Sequence, residues 1–123
     1  MPTKSILVGG YPHKAADGGR AFAEALVEGF EEPVKILDCL FARPVENWSN
    51  TFAEDQHFFT HHLPDKKLEF KLADPDTFME QVRWAHAIYM RGGETDVLIN
   101  SLNKNTGWER ELHGKTLAGS SAG

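Results

Sequence analysis

The stretch Lys115-Thr116-Leu117-Ala118-Gly119-Ser120-Ser121-Ala122-Gly123 sets the reading of the whole chain. Lys115 to Ala118 reads as a short strand, and it runs directly into a G-x-S-x-G pentapeptide. That pattern is a nucleophile elbow, in which a strand enters a sharp turn that lifts one serine clear of a sheet. Small flanking residues let the strand and a following helix approach around the turn, and here they are Gly119, Ala122 and Gly123. A serine hydroxyl is a poor nucleophile unless its backbone is held this way and a base can reach it. Ser121 is therefore the candidate nucleophile. The bland alternative is a strand that ends in a small-residue loop.

Upstream, apolar runs alternate with helical patterns, the rhythm of βαβ units and a parallel sheet. Ser5 to Val8, ended by Gly9-Gly10, reads as a buried first strand. Phe22, Leu26 and Phe30 recur at helical spacing within 18–30, with Gly29 and Pro33 closing that helix. Val34 to Leu40 reads as a second strand with Asp38 and Cys39 near its carboxyl end. Thr51-Phe52-Ala53-Glu54 has the T-x-x-E form of a capping box and predicts a helix to about Leu63. Leu68-Glu69-Phe70-Lys71-Leu72 alternates apolar and charged residues, as a strand at a sheet edge with one wet face does. Asp74-Pro75 reads as the start of a helix through Ala85, with aspartate at the cap and proline at the first helical position. Ala87 to Met90 is a fourth strand, a helix carrying Leu98, Ile99 and Leu102 follows, and Lys104 to Gly114 holds a short helical turn around Trp108 and Leu112. The chain is thus one α/β domain, residues 1–123, with a doubly wound, mainly parallel sheet of flavodoxin-like form. Right-handed crossovers give an expected strand order of 3-2-1-4-5.

The fourth strand turns at Arg91-Gly92-Gly93-Glu94-Thr95. Glycines just after a strand let backbone N–H groups point into a site, as an oxyanion hole requires. In the expected sheet this turn would stand beside Ser121. The turn, the Leu98 and Leu102 helix and the terminal G-x-S-A-G together resemble the peptidase E family, which includes the aspartyl dipeptidases and the cyanophycinases. The match covers roughly the last third of the chain, and the remainder agrees in its βα rhythm. The resemblance implies a class-I glutamine-amidotransferase-like fold, Ser121 as nucleophile and an oxyanion hole from the N–H groups of Gly93 and Ala122. It also implies a preference for small peptides with an acidic residue before the scissile bond. Arg91 stands where the family often has glycine, and Glu94 where asparagine is common. Arg91 could meet an acidic substrate, whereas Glu94 would repel one unless the two pair.

The family's catalytic histidine lies beyond the elbow. His13, His57, His61, His62, His86 and His113 all precede Ser121, and none matches a family position. The sheet is accordingly expected to be cut after its fifth strand, leaving an apolar flank through which copies of the chain would pair as a homo-oligomer. The readings that follow are a serine-type peptidase of the peptidase E type, or a catalytically silent relative serving as a binding or assembly module. A nucleotide or flavin binder on the same scaffold has no supporting motif.

Composition narrows the classes further. A net charge of −5 with scattered Lys and Arg argues against nucleic acid as a partner. No run approaches the ~20 apolar residues of a membrane span. The single cysteine, Cys39, allows no intrachain disulfide, which fits a cytoplasmic protein. His57 and His61 have the i, i+4 spacing of a metal pair, but no H-E-x-x-H accompanies them, so neither metal nor cofactor is expected. Cys39 reads as a core residue rather than a thiol nucleophile. The three tryptophans read as core or loop anchors.

Overall fold

The computed structural model describes residues 4–8, 17–92 and 107–120. Strand β1 (Lys4–Val8) leads to helix α1 (Arg20–Val27), then β2 (Val34–Cys39), α2 (Trp48–His62), β3 (Leu68–Leu72), α3 (Phe78–Trp84) and β4 (Ala87–Met90). A 3-10 helix over Trp108–Leu112 precedes β5 (Thr116–Ser120). The five strands form one sheet in the order β1-β5-β4-β2-β3, and every pairing is parallel. All carboxyl ends therefore lie along one edge of the sheet. The expected helix over Leu98, Ile99 and Leu102 lies outside the described residues.

Alternation along the strands sorts the core into two layers. Val34 and Ile36 of β2, Ala87 and Tyr89 of β4 and Ala118 of β5 face α1 and α2, meeting Phe22, Leu26 and Phe59. Leu37, Cys39 and Ile88 point the other way, onto Phe78 and Val82 of α3 and onto Trp108 and Leu112. A sheet covered on both faces by its own crossover helices is the doubly wound architecture the sequence predicts. β3 is an edge strand whose Glu69 and Lys71 are exposed, also as expected.

The strand order departs from expectation at β1. The expected order set β1 between β2 and β4, but β4 pairs directly with β2 and β1 lies outside β5, with Lys4 opposite Thr116 and Val8 opposite Ser120. Apolar runs record that a strand is buried and not which neighbours it takes. One consequence corrects the expectation of an open flank on β5. That flank is covered by β1, so the sheet edges among the described residues are β1 and β3.

Two helix starts also differ. α2 begins at Trp48, not at Thr51, because a 3-10 turn over Val45–Asn47 runs straight into it. The Trp48 indole N–H donates to the Arg43 carbonyl at 2.8 Å, and Thr51 is buried inside the helix. α3 begins at Phe78 rather than after Pro75. Asp74 instead closes a turn: its carboxylate accepts the Asp76 N–H at 2.9 Å, and its own N–H donates to Gln81 Oε1 at 2.7 Å.

Candidate active site

β4 and β5 are hydrogen-bonded neighbours in parallel register, from Ala87 opposite Thr116 to Met90 opposite Gly119. Arg91 and Gly92 follow the last of these pairs on one strand, and Ser120 follows it on the other. The two glycine-bearing motifs thus leave adjacent strands at the same edge of the sheet. Gly93, Glu94, Ser121 and Ala122 themselves lie outside the described residues, so the structure carries the chain up to the expected nucleophile and oxyanion hole and describes neither.

Arg91 is described, and it is not at the surface. Its side chain is 7% exposed, and its guanidinium Nη1 donates to the Asp55 carboxylate, which is 6% exposed. The guanidinium also lies 5.8 Å from the centre of the Tyr89 ring. Its backbone N–H donates to the Cys39 carbonyl at the end of β2, at 3.1 Å. Gly92 is held as well, its carbonyl accepting from Arg43 Nε at 3.1 Å. A positive charge expected to meet a substrate is therefore matched by a carboxylate of the chain itself.

Asp38 joins this cluster from β2 on the face covered by α2. It is 1% exposed, and with both carboxyls ionised neither of its oxygens, nor Asp55 Oδ2, would have a donor. A proton on Asp38 removes the conflict by supplying a hydrogen bond from one carboxyl to the other. Burial, then that hydrogen bond and the Asp55 charge, push Asp38 well above the usual carboxylate range. Burial also raises Asp55, while the Asp38 hydrogen bond and the Arg91 charge pull it back. Asp38 is the neutral member and Asp55 the ionised partner of Arg91. Two buried carboxyls sharing one proton beside a guanidinium is the low-charge solution for such a site.

Sequence reasoning noticed Asp38 only as a strand-end residue and missed Asp55. The signal was available: Thr51, Asp55 and Phe59 recur at i, i+4, i+8, and all three are buried on one face of α2. Read as a buried stripe rather than a capping box, they put an acid against the sheet.

Other candidates resolve plainly. Cys39 is buried, and desolvation pushes its thiol up to about 12, which removes it as a nucleophile. The rings of His57 and His61 stack 6.2 Å apart, and no cluster of three or more metal-binding side chains occurs among the described residues. His86 and His113 immediately precede β4 and the turn into β5, at the amino edge of the sheet. His61 and His62 end α2, which leads back to the same amino edge at β3. These histidines stand opposite the strand ends that carry the two motifs. A cavity of about 450 Å³ between α1 and the end of α2, lined by Arg20, Glu24, His62 and Lys66 among others, shares no residue with the Arg91 cluster. No helix among the described residues is long and apolar enough to cross a membrane.

No protein-family model matches the chain, and no curated protein matches it either. Solved structures do. A protein from Listeria monocytogenes EGD-e assigned provisionally to peptidase E superposes with a TM-score of 0.67 at 21% identity, over 100% of this chain and 60% of that one. A peptidase from an acI-B1 Actinobacterium gives 0.66 at 24% identity, over 100% of this chain and 55% of that one. This chain spans less than two thirds of either structure. Its fold is that of these peptidase structures.

Proposed function

We propose that the chain belongs to the peptidase E type of serine peptidases and acts by acyl transfer through Ser121. The observation that carries this reading is the parallel pairing of β4 with β5, ending at Met90 and Gly119, which sends the Gly92-Gly93 turn and Ser121 off neighbouring strands at one edge. The likeness in fold to two peptidase structures supports it. In the reaction, Ser121 Oγ attacks the scissile carbonyl carbon and gives its proton to a base. Backbone N–H groups of Gly93 and Ala122 receive the oxyanion, whose charge fixed donors stabilise strongly. The amine leaves with the proton from the base, and water then releases the acyl group by the same steps in reverse. The resemblance puts the base, a histidine, beyond the elbow, and none of the six histidines of this sequence matches its position.

The substrate class is a small peptide with an acidic residue before the scissile bond. Because Asp55 already matches the Arg91 charge, acid recognition falls to other residues of the site. The test is hydrolysis of a panel of Asp-Xaa and Ala-Xaa dipeptides, with Ser121→Ala as control. Turnover of the Asp-Xaa members, lost in Ser121→Ala, is the expected result. No turnover of any member by a folded protein favours the silent module built on the same scaffold.

A further inference from the structure

We propose that Arg91 and Asp55, with Asp38 beside them, are positioning residues for the Gly92-Gly93 turn: their buried contact fixes where the chain leaves β4 and so aims the turn at the serine. The aim at Ser121 rests on the acyl-transfer reading above, while the anchoring of the turn stands on the described residues alone.

The chain leaving β4 is tied at consecutive residues to three other elements. The Arg91 N–H is bonded to the Cys39 carbonyl of β2, and the Arg91 guanidinium to Asp55 of α2. The Gly92 carbonyl is bonded to Arg43 Nε, and the carbonyl of Arg43 is in turn bonded by the Trp48 indole at the start of α2. The end of β2, the segment after it and α2 thus converge on two residues at the mouth of the turn.

Stability alone gives little reason for this arrangement. Position 91 is buried beside the apolar core, and a buried ion pair is often no more stabilising than well-packed apolar side chains of similar volume. An arginine–carboxylate pair adds directionality, because the planar guanidinium donates to its partner only along fixed N–H directions. An apolar residue would fill the space and keep the backbone bonds of Arg91 and Gly92, but would fix no direction between the end of β4 and α2. Among the described residues, the charges that act on Asp38 are those of Asp55 from α2, Arg91 from the end of β4 and Arg43 from the segment after β2. The ties that hold these elements together are the Arg91 guanidinium on Asp55 and Arg43 Nε on the Gly92 carbonyl.

A merely structural pair predicts that variants lose stability and leave the folded site unchanged. A positioning pair predicts a local change in protein that stays folded. The experiment compares amide spectra and hydrogen exchange of the full chain with those of Arg91→Met, Arg91→Lys and Asp55→Asn. In folded Arg91→Met, the amide of residue 91 should exchange at least tenfold faster and the Gly92 and Gly93 signals should move, while α3 amides stay in place. Arg91→Lys should restore most of the protection. Labelling of Ser121 by a fluorophosphonate should slow at least tenfold in the maximal rate with little change in probe affinity, and recover in Arg91→Lys. Should Arg91→Met fail to fold, Asp55→Asn and Arg91→Lys carry the same comparison. A folded variant with unchanged exchange at residue 91 and an unmoved Gly92 signal overturns the proposal. Loosening of the turn in a protein whose Ser121 never labels keeps the anchoring, and overturns the acyl-transfer reading together with the aim at Ser121.

Discussion

Asp38, buried, and His86, half-buried, are titratable groups whose effects on stability run in opposite directions with pH. Asp38 is held neutral in the fold, above its ordinary value of 3.8, chiefly by burial. The folded protein then holds a proton that the unfolded chain releases, so this contribution is complete below about pH 3.8 and declines as pH rises toward the folded pKa. Asparagine mimics the neutral acid and can donate to Asp55 in its place. Asp38→Asn should therefore gain stability relative to the parent as pH rises from 5 to 8, read from urea unfolding at both values. An equal difference at the two pH values would contradict a proton on Asp38. Removing Asp55 is different, because it strands the Arg91 charge. Asp55→Ala should cost about 3–5 kcal/mol. His86 has the opposite sign. Its Nδ1 accepts the Lys35 N–H at 3.0 Å, and its ring stacks on Phe30 at 5.1 Å. Burial, with Lys35 and Lys115 nearby, holds it below 6.5, so its contribution is present above about pH 6.5 and is lost as pH falls through the folded value. An NMR titration of His86 should give a midpoint below 6.5, the ordinary value of the imidazole.

The elements were legible where periodicity was long and illegible where local chemistry competed with it. All five strands lie where apolar runs predicted them, and the wet edge strand β3 follows from the alternation of Leu68 to Leu72. The helix starts were not legible. Thr51 has the form of a cap, but the turn from Pro44 to Asn47 winds the helix earlier, and the residue is buried instead. Asp74-Pro75 has the form of a helix start, but the aspartate carboxylate is used within its own turn. Short polar motifs satisfy backbone groups in several ways, and sequence alone does not select among them. The seam between α3 and β5 shows a contact that no pattern announces. Lys115, just before β5, donates through its ammonium to the Ala85 carbonyl and, at 3.2 Å, to that of Arg83. These are carbonyls at the end of α3, where a cation also complements the helix dipole. Lys115→Met should lower stability by about 1.5 kcal/mol, measured by thermal or urea unfolding, with the loss shrinking if methionine is replaced by arginine.

At the scale of the molecule, the doubly wound class and the adjacency of β4 and β5 were legible in the sequence, and the place of β1 was not. Its short apolar run suits any buried position, and only the pairing of Lys4–Val8 with Thr116–Ser120 fixes it beyond β5. That pairing removes the open flank expected on β5. Pairing between copies of the chain through a sheet edge would use β1 or β3, and the exposed Glu69 and Lys71 on β3 disfavour it there. Of the candidate site, the two strand ends that lead into its motifs were legible, whereas the buried Asp38, Asp55 and Arg91 contact at the end of β4 was not, because its partners come from three distant segments. The central claim concerns Ser121, and its most direct test is covalent labelling of the folded chain by a fluorophosphonate, mapped by peptide mass spectrometry. The account predicts a single adduct on Ser121 that disappears in Ser121→Ala. A folded protein that takes no label at Ser121, or one labelled equally in Ser121→Ala, would contradict it.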